Sequence, residues 1–206
     1  DDLDEAARAL RTRMRKKIDA IADFLSHPSP EVREAACMAL FRAGAKSKAP
    51  RLIEFALSEP DEQVQVAALY ALARLGVPDA FAVYEKFVAD ADPYVRSLAV
   101  RGFGLSDNAD AVRYLTIALN DSDPRVVAQA ITDLAGKKTP EAMSRLAKKL
   151  GTVRDEKLKV ATINALARQQ NAEALDAVNA VLSDGSPVNI TVAALGYLAA
   201  IQKERA

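Results

Sequence analysis

An internal repeat with a period of 31 to 32 residues runs along the sequence. Six segments superpose on an apolar anchor at Val32, Val64, Val95, Val126, Leu158 and Ile190. Four residues on stands a small residue, at Ala36, Ala68, Ala99, Ala130, Thr162 and Ala194. Four further comes a large one, at Leu40, Leu72, Phe103, Leu134, Leu166 and Leu198. Another apolar row passes through Cys37, Leu69, Val100, Ile131, Ile163 and Leu195. Offsets of four, five and eight form one stripe on a helix of 3.6 residues per turn and fit no strand. A first helix precedes each of these, with one row at Ile18, Pro50, Phe81, Val112, Met143 and Leu175. Its second row is Ile21, Ile53, Tyr84, Leu115, Leu146 and Val178, and its third is Leu25, Leu57, Val88, Leu119, Leu150 and Leu182. Each repeat is thus predicted to be a helical hairpin. A hairpin this small buries its apolar face only by stacking on neighbours, and the small row lets adjacent backbones approach closely.

The punctuation agrees with the rows. Second helices are predicted to open at Ser29-Pro30, Asp61-Glu62, Asp92-Pro93, Asp123-Pro124, Asp155-Glu156 and Ser186-Pro187, each an N-cap oxygen followed by Pro or an acid. Gly44, Gly76 and Gly136 fall where helix ends need a left-handed residue, and Pro50, Pro78 and Pro140 start the next first helices. The expected organisation is an N-terminal helix over 1–16, a cap or a truncated repeat, followed over 17–206 by six repeats in one continuous solenoid. In the first segment Leu3, Ala6, Ala7, Leu10 and Met14 make an amphipathic set. Its basic cluster Arg11, Arg13, Arg15, Lys16 and Lys17 is offset by Asp1, Asp2, Asp4 and Glu5 and reads as a solvated face.

Composition narrows the function. With 28 basic and 28 acidic side chains the net charge is zero, which argues against a nucleic-acid binder or an anionic-membrane binder. One His and one Cys cannot by themselves build a Cys/His zinc site or an internal disulfide. Half the residues are apolar but only 5% aromatic, so the apolar share is mostly Ala, Leu and Val, which suits close helix packing. No apolar run is long enough to span a membrane and no secretory leader is seen. The chain reads as soluble, with a cytoplasmic placement favoured over export. Because it begins at Asp1 inside a predicted helix, it reads as a processed or excised piece of a longer protein.

The segments DADPYVRSLAVRGF (90–103), SHPSPEVREAACMAL (26–40) and NDSDPRVVAQAITDL (120–134) resemble HEAT repeats. The likeness is to the short variety found in bacterial HEAT-like proteins and phycobilin lyase subunits. It covers 17–201 and implies an all-α fold, an α-α superhelix of right-handed hand built from about six hairpins. The family pattern has an Asp in the intra-repeat turn and an Arg just after the anchor. Arg33 and Arg96 keep that Arg, Lys159 substitutes for it, and Gln65, Val127 and Thr191 depart from it. Asp92 with Arg96, and Asp155 with Lys159, stand four apart and are expected to pair on the first turn of their helices.

No catalytic constellation is visible. His27 lies in the turn Ser26-His27-Pro28-Ser29-Pro30 and reads as a loop residue, while Cys37 occupies an apolar row and reads as a small buried hydrophobe. Acidic pairs such as Asp90 with Asp92 and Asp121 with Asp123 lack the distal Glu of a calcium loop and read as helix caps. There is no phosphate loop, no nucleophile elbow and no His-Glu pairing of the HEAT-like di-iron hydroxylases. No cofactor or metal is expected.

What stands out is the outward side of the second helices, which lines the concave face in HEAT-like arrays. Positions two, six and ten after the anchor lie opposite the apolar stripe, yet carry few charges. Met38, Phe41, Arg42, Val66, Tyr70, Arg74, Arg101, Val160 and Arg168 form an apolar strip edged by Arg, a composition suited to protein recognition. The expected function is a non-catalytic scaffold that binds a partner protein or peptide there. The alternative is a repeat module of an enzyme, either resembling a phycobilin lyase subunit or attached to a separate catalytic domain. A HEAT-like DNA glycosylase is disfavoured by the missing Trp and the neutral charge. The last repeat, with Leu195, Leu198 and Ile201, is expected to meet a further domain or a second molecule.

Overall fold

The computed structural model describes residues 2–182 and 186–202. The side chains of Leu3 and Ala6, part of the expected amphipathic set, and Asp1 lie outside the described residues. Among the described residues there are twelve α-helices, three short 3₁₀ turns and no strand, so the fold is an all-α solenoid of helical hairpins. Contacts divide the chain into two compact units, Asp1–Phe87 and Val88–Ala206.

The first unit holds α1 (Asp2–Asp23), α2 (Pro30–Arg42), α3 (Ala49–Ser58), α4 (Glu62–Leu75) and α5 (Phe81–Phe87). Within it α2 packs on α4, second helix against second helix. The other unit holds α6 (Pro93–Leu105), α7 (Ala111–Ala118), α8 (Pro124–Lys137), α9 (Pro140–Thr152), α10 (Glu156–Arg168), α11 (Leu175–Asn179) and α12 (Val188–Gln202). There α6 packs on α8, α8 on α10 and α10 on α12. The small row lies in these stacks: Ala36, Ala68, Ala99, Ala130 and Ala194 are all buried. Thr162 is buried with them and satisfies its hydroxyl internally, donating to the Leu158 carbonyl at 2.7 Å.

Five of the six predicted N-caps form. The side chains of Ser29, Asp61, Asp92, Asp123 and Asp155 each accept a backbone N–H from the first turn of the following helix. The Ser186 hydroxyl, before the sixth, donates to the Val181 carbonyl at 3.1 Å. Thr139 adds a cap at α9 that the repeat pattern did not mark. Gly44 and Gly76 adopt the expected left-handed backbone. Gly136 does not: α8 runs through it, and Lys138 takes the left-handed conformation instead, at φ 54°.

Two expectations change in the packing. α1 runs without a break through residue 16, so the N-terminal segment and the first helix of the first repeat are one element. Its stretch from Arg8 to Lys17 is exposed, which agrees with a solvated basic face. In the second repeat the first-helix rows lie one residue earlier than expected: Ala49, Leu52 and Ala56 are buried, whereas Pro50 and Leu57 are exposed. That shift reveals a second small-residue row, because Ala49, Ala80, Ala111, Ala142 and Ala174 recur at the repeat period and all are buried. Each stands within two residues of the start of a first helix, where the chain passes close to the hairpin core and a larger side chain would force it outward.

The arginines after the anchor do more than cap. Arg33 donates to the carbonyls of His27 and Pro28, both at 3.0 Å, and grips Glu59 with Nε at 2.8 Å and a terminal nitrogen at 2.6 Å. Arg96 repeats the arrangement: it donates to the carbonyls of Asp90 and Ala91 and holds Asp121 bidentately, both contacts at 2.8 Å. The expected Asp92–Arg96 pair is therefore corrected. Arg96 reaches the next repeat, while Asp92 caps Tyr94 N. Each acid in turn accepts the backbone N–H two residues on, Asp61 for Glu59 and Asp123 for Asp121. An Arg fork thereby staples two successive inter-helix turns, with four of its five N–H donors engaged. Where Gln65 replaces the Arg, it keeps only one such bond, to the Glu59 carbonyl.

Two tests follow from this packing. Arg33 holds the Glu59 carboxyl below its ordinary value of 4.5, so the staple's contribution is complete above that pH and is lost as pH falls through the lowered value. Glu59→Gln is expected to lower the melting temperature by roughly 5 °C at pH 7 and by much less at pH 3, read by circular dichroism. Lys138→Gly relieves a left-handed non-glycine residue and is expected to raise stability by roughly 0.5 kcal/mol in urea titration.

Candidate functional site

In the first unit the outward faces of α2 and α4 carry six of the predicted residues. Met38, Phe41, Val66 and Tyr70 are half-buried, and Arg42 and Arg74 are exposed. Helical spacing brings three of them together. The Phe41 and Tyr70 rings meet edge to face with centroids 5.3 Å apart, and the Arg74 guanidinium lies 6.0 Å from the centre of the Tyr70 ring. Edge-on aromatic pairs keep a preset geometry, and a cation near the ring face adds a weak attraction. The result is an ordered, partly apolar surface with the exposed Arg42 and Arg74 at its edge.

The other unit carries Arg101 on α6 and Val160 and Arg168 on α10. Val160 is half-buried, and Arg168 is exposed beside a cavity of about 520 Å³ lined by Ala167, Gln170, Gly196, Ala199 and Ala200. Arg101 is less available than a concave-face arginine was expected to be. It is half-buried, and its Nε is buried without a hydrogen-bond partner.

Beside Arg101 lies a group that the repeat analysis missed. Asp133 on α8 is half-buried against Gly104 of α6, and a Cβ at Gly104 would stand 2.4 Å from the Asp133 Cγ. Gln129 donates to Asp133 at 2.8 Å, and Lys137 donates to the Ser106 carbonyl. Burial pushes the Asp133 carboxyl up to about 7, against the opposing pull of the Gln129 hydrogen bond and of the charges on Arg101 and Lys137. The signal was present in the sequence. Seven residues after the anchor the repeats carry Ala39, Ala71, Gly102, Asp133, Ala165 and Tyr197, so an acid interrupts an otherwise mostly small row.

The residues considered for chemistry take structural places. Cys37 is buried and its thiol is pushed up to about 12, chiefly by desolvation, so it is no ready nucleophile. His27 is half-buried, and its Nδ1 accepts the Ser29 N–H at 3.1 Å. Among the described residues no group of three or more His, Cys, Asp or Glu is placed to hold a metal ion, and no helix is long and apolar enough to cross a membrane.

Family comparison agrees with this geometry. The model for HEAT repeats matches residues 3–73, 49–135 and 81–156, together well over half of the chain. The chain belongs to the HEAT-repeat family. This HEAT-repeat chain resembles an engineered protein solved by the Northeast Structural Genomics Consortium, with 18% identity, a TM-score of 0.66, and coverage of 91% of this chain and 97% of that one. It also resembles a designed armadillo repeat protein in complex with the peptide (KR)4, at 19% identity and TM-score 0.61, covering 88% and 98%. A third likeness is to the complex of CpcE and CpcF of phycocyanin lyase from Nostoc sp. PCC7120, at 19% identity and TM-score 0.55, covering 72% and 96%. At such identities the likeness is one of fold. No curated protein matches the chain.

The raised Asp133 value makes a checkable demand on stability. The fold favours the protonated acid, so its contribution is complete below the ordinary value of 3.8 and is lost as pH rises through about 7. Asp133→Asn is expected to match the parent at pH 4 and to melt roughly 3 °C higher at pH 8.

Proposed function

We propose that this HEAT-repeat chain is a non-catalytic scaffold whose second helices bind an extended segment of a partner protein, with α2 and α4 supplying the main contact. The observation that carries the reading is the Phe41–Tyr70–Arg74 cluster, preset by helix packing and open at its edge. A rigid surface of this kind loses little conformational freedom on binding, so more of the contact energy remains as affinity. Tyr and Arg are also the side chains that most often dominate such interfaces.

The charges suggest the chemistry of the partner. The designed armadillo relative is seen with a basic peptide, (KR)4. Here the cluster is edged by Arg42 and Arg74, which would repel a basic ligand and attract one with Asp or Glu beside apolar side chains. The same logic extends to Arg168 and, with its exposed portion only, to Arg101 and Val160 in the other unit. We read the six hairpins as one array, with residues 1–16 as the cap of its first repeat. The competing reading, a repeat module of an enzyme, draws on the likeness to the lyase complex, which is one of fold.

Two fluorescent peptides separate these ideas: one alternating Glu with Leu and Phe, and (KR)4. The acidic peptide is expected to bind at least about tenfold more tightly, and the double variant Tyr70→Ala, Arg74→Glu to lose about tenfold with an unchanged circular dichroism spectrum. Equal binding by parent and variant, or a preference for (KR)4, would count against the proposal.

A further inference from the structure

The seam between α6 and α8 holds polar groups that stacking does not require. Asp133 stands in a row that elsewhere carries Ala, Gly or Tyr, and a Cβ at Gly104 of α6 would collide with its carboxyl. Arg101 lies three residues before Gly104, one turn along the same face of α6, and its charge acts on Asp133. Yet it is Gln129 that donates to Asp133, while the buried Nε of Arg101 has no hydrogen-bond partner. A buried donor without an acceptor is costly, and so is a half-buried acid that must ionise. The two costs stand side by side on facing helices.

Among the described residues the charges acting on Asp133 are Arg101 from α6 and Lys137 from its own helix; α7, α9 and α10 also pack on α8 and contribute none. Of the two cations, Lys137 is already engaged. Its ammonium donates to the Ser106 carbonyl at the end of α6, and the charge of Asp107 acts on it there. Arg101 is therefore the cation that an ionised Asp133 can recruit. A protonated Asp133 makes no such demand. Arg101 also occupies position six after its anchor, on the outward face that carries Tyr70 in the first unit, and it is only half-buried.

We infer that Arg101 and Asp133 form a proton-gated subsite for one acidic side chain of the partner segment. With a proton on Asp133 the Arg101 guanidinium serves the partner's carboxylate; without it Arg101 turns to Asp133, and two carboxylates compete for one cation. The inference rests on the reading that the second helices receive an acidic segment, and it assigns a regulation to that surface. An ordinary Asp, at 3.8, would be ionised throughout the neutral range, but burial pushes Asp133 up to about 7, so the gate works there. The partner's Glu side chains, with an ordinary value of roughly 4.3, are ionised on both sides of the gate. Arrival of a carboxylate raises the proton affinity of Asp133, so binding takes up a proton and is tighter at lower pH.

Fluorescence anisotropy of the whole chain with the peptide alternating Glu with Leu and Phe, at pH 6 and pH 8 and one ionic strength, reads the gate. The parent is expected to bind about fivefold more tightly at pH 6. Asp133→Asn is expected to keep the tighter affinity at both values, and Arg101→Gln the weaker one at both. A second measurement needs no ligand: the Arg101 Cζ resonance of the free chain in carbon NMR is expected to shift with a midpoint near pH 7 and to stay still in Asp133→Asn. A peptide that binds at neither pH overturns the scaffold reading and the subsite together. Binding that is equal at the two values or tighter at pH 8, a pH dependence that survives Asp133→Asn, or an Arg101 resonance that ignores the titration overturns the subsite alone and leaves the scaffold reading standing.

Discussion

Close approach of successive second helices is the constraint on which the rest depends. A hairpin of two short helices cannot bury its own apolar stripe, and stacking does so only if the backbones come near enough for the large row to interlock. The buried alanines of the second helices make that approach possible, and Thr162 is accepted among them because its hydroxyl is satisfied within its own helix. The alanine row of the first helices, from Ala49 to Ala174, extends the same requirement to the other half of each hairpin. An Ala-rich, aromatic-poor composition is the chemical consequence.

Stacking leaves the turns to be joined, and there polar groups take over. Arg33 and Arg96 each gather two carbonyls from their own turn and a carboxylate from the next. These pairs are largely removed from water, so they serve less as a source of net stability than as a device that fixes one register between neighbouring turns. Where Gln65 stands in place of the Arg, a side-chain bond to the Glu59 carbonyl serves instead. The neutral overall charge thus contains local, directed pairings as well as solvated faces.

Where packing does not need a side chain, the chain can spend it on recognition. Phe41, Tyr70 and Arg74 face outward from helices that stacking already holds still, which is what gives the proposed peptide surface its rigidity. Asp133 marks a different departure. An acid has been placed in a row of small residues, and Gly104 gives up its side chain to admit it. On α12 the departure is the loss of every charge.

The sequence by itself determined what repeats locally: the helical hairpins, five of the six second-helix caps, the small and large rows, and the outward position of Tyr70 and Arg74. These follow from periodicity and cap chemistry, which act within a few residues along the chain. Only the tertiary structure decided that Arg96 holds Asp121, 25 residues away, in place of Asp92, and that the first-helix register of the second repeat lies one residue earlier. It also decided that Asp133 is half-buried against Gly104 while Leu195, in a row buried elsewhere in its unit, is exposed. The reason is common to all four. A periodic pattern says which face of a helix is apolar, but the partner that meets a given side chain, or fails to, depends on which helix lies beside it.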